Sequence, residues 1–126
     1  MVSRFGAGFT LIELLVVMAI LALLLTLAVP RYFSSLDNSR EVALRHDLAV
    51  MRESIDKFHG DTGRYPESLD ELAARKYLRS IAPDPITESA KTWVVIAPEN
   101  PEKGGVYDVK SGAQGKARDG TPFKDW

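Results

Sequence analysis

The sequence predicts an α+β chain: a long N-terminal helix, its first half apolar enough to cross a membrane, with a small antiparallel sheet packed on its second half. Three observations carry this reading. Residues 9–29 form an apolar run with no basic residue and a single acid, Glu13. Further on, Leu44, Leu48, Met51, Ile55 and Phe58 recur at spacings of four, three, four and three, which lays one stripe along an α-helix. Beyond them, the runs "TWVVIA" (92–97) and "GVYDVKS" (105–111) flank the polar turn "PENPEKG", the pattern of an antiparallel hairpin.

The apolar run comes first in the chain. Its 21 residues span roughly 31 Å as a helix, against about 30 Å for the hydrocarbon core of a bilayer. A secretory signal peptide has an apolar region of roughly 7–15 residues and a small-residue cleavage site. This run is longer, and Leu27-Ala28-Val29-Pro30 makes a poor site of that kind. Arg4, the basic residue ahead of the run, places the N-terminus on the cytoplasmic side. A plain anchor explains everything except Glu13. A carboxylate in a membrane helix costs roughly 2.5–3.5 kcal/mol at the centre and less toward the ends. Nothing in the segment neutralises it. A cut just before Phe9 would create a cationic α-amino group about one helical turn away, and a neighbouring subunit could offer the same group. Pairing of that kind rewards one axial offset between subunits, so the buried charge acts as a register device. Pro30 closes the run; it lacks an N–H and clashes with the Thr26 carbonyl, which predicts a break or kink in the helix.

After the stripe, "GDTGRYP" (60–66) ends the long helix with two glycines and a proline turn. Ser68 precedes Glu71 at capping-box spacing, which predicts a short second helix over residues 67–75. A third short strand is expected near residues 121–126, and Tyr65, Trp93 and Trp126 read as packing aromatics.

Composition narrows the function. The 126 residues are 45% hydrophobic and 26% charged with a formal net charge of -1, so one small domain is expected beside the anchor. The near-neutral charge and lack of a basic cluster argue against nucleic acid as the main partner. With no cysteine, neither a disulfide framework nor a thiolate metal site can form. His46 and His59 lie thirteen residues apart on one helix and cannot share a site within a subunit. No nucleophile trio and no phosphate-binding glycine loop is present, so the chain does not read as an enzyme. The different-class alternative is a membrane-tethered enzyme with a site that the sequence does not display.

"GFTLIELLVV" resembles the processing site of the type IV pilin and type II secretion pseudopilin superfamily. The Asp-Gly-Tyr-Pro elements that close the long helix, and Asp84-Pro85 followed by Trp93, are similar to the major pseudopilin, or protein G, kind. The resemblance implies a pilin-like fold divided into a leader (1–8), a transmembrane and polymerisation helix (9–29) and a periplasmic head (30–126). It implies cleavage after Gly8 by a prepilin peptidase, N-methylation of Phe9, and an assembly role for Phe9 and Glu13. Pro30 takes the position of the family's helix break, whereas Ala22 stands where a helix-weakening glycine is frequent.

The implied function is a structural subunit of a type II secretion pseudopilus that supports protein secretion across the outer membrane. Its partners would be further copies of itself, minor pseudopilins, the prepilin peptidase, and an inner-membrane platform with its ATPase. Before assembly the chain would sit in the bacterial inner membrane with its head in the periplasm, and afterwards in a periplasmic filament. A type IV pilus pilin, for adhesion, motility or DNA uptake, is the alternative; major pilins usually close their C-terminal region with a disulfide, which this chain cannot form. Proteins of the protein G kind also commonly bind calcium in the loop that here reads "SGAQGKARDGTPFKDW". Ser111, Asp119 and Asp125 match that scheme in type. Gln114 stands where the family often has an aspartate, Lys116, Arg118 and Lys124 oppose a cation, and Asp119-Gly120 is equally an ordinary turn signal.

Overall fold

A computed structural model describes residues 8–126. The leader expected at residues 1–8 therefore lies outside the described residues except for Gly8. The described chain begins with the helix α1, Leu11–Thr62, which carries two compact units: one up to Asp37 and one from Asn38 to Trp126. Thr10 starts α1, its hydroxyl accepting from the Glu13 N–H at 3.1 Å. In the first unit every residue from 8 to 33 is exposed, apolar ones included. α1 is long and apolar enough there to cross a membrane.

α1 runs through Pro30 without interruption, which corrects the helix break expected there. Proline removes one N–H from the ladder and crowds the carbonyl four residues back, and both losses are local. The flanking turns keep their bonds, and Thr26 adds one by donating its hydroxyl to the Ala22 carbonyl at 2.8 Å.

The second unit is built on the stripe. Leu44, Leu48, Met51, Ile55 and Phe58 are all buried and form one core with Leu72, Leu78, Trp93, Val106, Val109 and Phe123. Burying each large apolar side chain contributes roughly 1.5–3 kcal/mol, so this face of α1 is a major source of the unit's stability. α1 ends three residues later than its first glycine suggests. Gly60 stays helical, and Gly63 terminates the helix at φ 78 while donating its N–H to His59 at 2.9 Å. A left-handed residue after the last turn is the usual glycine stop, whereas glycine inside a helix costs only about 1 kcal/mol.

The second helix, α2, spans Leu69–Ala74 with Ser68 as its cap, accepting from the Glu71 N–H. The reciprocal bond is shifted by one residue: Glu71 Oε1 accepts from the N–H of Glu67 at 2.9 Å. The carboxylate is drawn there by Arg64, which grips both its oxygens at 3.1 and 3.0 Å.

The hairpin is present but shorter than its sequence suggests. β1 (Val94–Ile96) pairs antiparallel with β2 (Asp108–Lys110), with Val95 opposite Val109. Residues 105 and 106 spend their N–H groups on the Pro66 carbonyl, at 3.0 and 2.9 Å, and so cannot extend the ladder. Gly105 is required at that contact, because a Cβ would collide with the Glu67 carbonyl. Residues Pro101–Lys103 of the connecting turn form a 3₁₀ turn capped by Asn100.

The third strand expected near residues 121–126 is not formed. Phe123–Asp125 make a 3₁₀ turn, and one bridge between Lys116 and Pro122 is the strand-like contact nearby. Pro122 has no N–H to give a ladder, and Phe123 turns into the core, 7% exposed.

Candidate functional site

Two places answer to the expected site residues, and each is described within its own unit. At the start of α1, Phe9, Ile12, Glu13, Val16 and Val17 line one shallow surface pocket. Phe9 is 85% exposed. The Glu13 backbone is fastened to Thr10, yet its carboxylate has no hydrogen bond or ion pair among the described residues. A charged group with no partner among the described residues, set in an apolar run that carries no other charge, is the arrangement that favours a cation supplied from elsewhere. Gly8 lies three residues before the start of this helix, with open space around it.

In the second unit, the three residues expected to hold calcium do not behave as a set. Ser111 is 1% exposed, whereas Asp119 and Asp125 are exposed. The Ser111 hydroxyl donates to Asp84 Oδ2 at 2.5 Å and accepts from the Ala113 N–H at 3.1 Å. Asp119 folds onto its own turn, Oδ1 accepting from the Thr121 N–H (3.0 Å) and hydroxyl (2.6 Å). These bonds, chiefly the one from the hydroxyl, hold the Asp119 carboxyl below the ordinary carboxylate range. Its Oδ2 lies 3.5 Å from Arg45. Calcium needs six to eight converging oxygens, and of the three expected side chains Ser111 and Asp119 are engaged by protein partners. Among the described residues no cluster of three His, Cys, Asp or Glu side chains is placed to hold a metal.

Asp84 is a residue whose role the sequence did not disclose. Its side chain is fully buried, with Oδ1 accepting from the Ile86 N–H at 2.8 Å and Oδ2 from Ser111. The loop after Asp84 is thereby joined to the end of β2. The Asp84-Pro85 pair was a signal of resemblance; its physical content is this buried carboxylate. Neighbouring Asp47 on α1 has its carboxyl pushed up, first by burial and further by Asp84, against the opposing pull of His46.

His59 stacks on Tyr65 with ring centres 4.2 Å apart, and Tyr65 meets Tyr107 edge to face.

An apolar helix with one carboxylate near its start, continuing into a small head packed on its second half, defines a pilin-like subunit. The sequence profile described as the prokaryotic N-terminal methylation motif matches residues 5–29. The chain is similar to members of the type IV pilin and type II secretion pseudopilin superfamily. Within it, the similarity extends over most of the chain to type II secretion system core protein G. The Klebsiella michiganensis protein is 27% identical over 124 residues, covering 94% of this chain and 87% of its own length. That of Aeromonas hydrophila is 28% identical over 114 residues, covering 90% of this chain and 79% of its own. The type IV major pilin protein PilA of Myxococcus xanthus is 31% identical over 74 residues, covering 56% of this chain and 34% of its own. No solved structure matches the chain significantly.

Proposed function

We propose that this chain is a structural subunit of a type II secretion pseudopilus, with no catalytic role of its own. It is made with a leader ending at Gly8, cut before Phe9 by a prepilin peptidase and methylated there. The segment 9–29 stores it in the inner membrane with the head in the periplasm. An assembly platform and its ATPase then move the subunit into a filament of like subunits, minor pseudopilins among them. The observation that carries this reading is the Glu13 carboxylate one turn from Phe9, without a partner among the described residues and the single charge in the apolar run 9–29. In a filament, the α-amino group of a neighbouring Phe9 supplies the missing cation, and the apolar segments cover one another instead of lipid.

The experiment is the intact mass and N-terminal sequence of the protein extracted from membranes, with and without the prepilin peptidase. A chain beginning at methylated Phe9 only when the peptidase is present is the expected result. A chain retaining residues 1–8 in both cases overturns the reading and leaves an anchored domain. The similarity to PilA favours a second reading, a type IV pilin. Loss of a secreted protein in a deletion strain supports the secretion role, whereas loss of sheared surface filaments supports the pilus.

A further inference from the structure

Oxygens of β2 and of the loop 111–126 meet cationic side chains of α1. Arg52, next to the buried Met51 on α1, donates from Nε to Asp108 Oδ1 at 2.9 Å. Its Nη2 donates to the main-chain oxygens of Val109 at 3.0 Å and Trp126 at 2.6 Å. Arg45, next to the buried Leu44, faces Asp119 at 3.5 Å and lies over the Trp126 ring, 4.0 Å from its centre. Glu41 Oε1 accepts from the Arg118 N–H at 2.7 Å. The loop is tied internally along the same line: the Trp126 indole donates to Thr121 Oγ1 at 2.8 Å, and that hydroxyl donates to Asp119. Positions 41, 45 and 52 share one side of α1, beside the buried stripe.

Guanidinium suits this geometry better than calcium does. A cation of that kind needs oxygens gathered around one point, while the guanidinium fork carries five N–H donors and serves acceptors that are spread apart. Lys116, Arg118 and Lys124 in the same loop add positive charge that a further cation would have to overcome. We infer that Glu41, Arg45 and Arg52 of α1 form an internal clamp that closes the loop 111–126 in place of a bound cation. The head therefore holds this loop without metal. The inference concerns the second unit alone and is independent of the filament reading.

The test is hydrogen exchange and thermal unfolding of the full chain in detergent, with calcium chloride or with EDTA. In the parent chain, neither addition changes the midpoint or the exchange of amides 111–126. Glu41→Gln speeds exchange of the Arg118 amide roughly 2- to 10-fold, the equivalent of one hydrogen bond. Arg52→Met speeds exchange across the loop and lowers the midpoint. Should Arg52→Met fail to fold, Arg45→Met serves instead, since its side chain is 60% exposed and outside the core. Two results overturn the inference: a saturable calcium-dependent rise in the midpoint that Asp119→Asn abolishes, or exchange of residues 111–126 left unchanged by the Glu41 and Arg45 variants.

Discussion

Asp84 shows how far a single residue's meaning depends on what surrounds it. In the sequence it is an acid before a proline, which signals a turn. In the folded head it is buried and satisfied by two backbone N–H groups and the Ser111 hydroxyl. Removing it strands those donors away from water. Asp84→Ala is expected to destabilise the head by roughly 1.5–3 kcal/mol, the range for hydrogen bonds to a charged group, measured by chemical unfolding in detergent. Ser111→Ala should cost less, because Asp84 keeps its backbone donors. If the serine change proves the costlier, the carboxylate is not the anchor. The family resemblance singled out Ser111 as a calcium ligand, and nothing in the sequence pairs it with a residue 27 positions away.

At the scale of elements, periodicity was legible and termination was less so. Every residue of the stripe proved buried, since a helix turns each third or fourth side chain to the same side whatever it packs against. The strands shortened because the carbonyl of Pro66 competes for the amides at 105 and 106. The cap of α2 was foreseen, but its return bond moved to Glu67 because Arg64 draws the carboxylate. That interaction makes a pH prediction. Hydrogen bonds from Arg64 and then from the Glu67 N–H lower the Glu71 carboxyl from 4.5 to about 2. A depressed folded value means that the unfolded chain takes up the proton first as pH falls. The contribution is fully present above 4.5 and is lost between there and about 2. Glu71→Gln should flatten the acid limb of stability in that window, read from urea midpoints at a series of pH values. An unaltered acid limb would mean that the Arg64 pair contributes nothing to folding.

For the molecule as a whole, the proposed role again rests on a single carboxylate, Glu13, with the cation proposed to come from a neighbouring subunit. Glu13→Ala is expected to leave cleavage and membrane insertion intact, and to make insertion easier where the charge is costly. Filament assembly, followed by microscopy of sheared or overexpressed filaments, should fall severely. Normal filaments from this variant would sink the register role of Glu13.

The sequence by itself determined the membrane-length helix, the placing of one acid within it, the stripe that builds the head, and the motif that marks the superfamily. All of these are local or periodic, so they survive without knowledge of distant neighbours. Tertiary structure alone decided where the strands stop and that Ser111 serves Asp84. It also brought Arg45 and Arg52 against a loop more than sixty positions onward in the chain. Such pairings depend on which carbonyl or carboxylate the fold delivers to each donor, and that is fixed only when the core has closed.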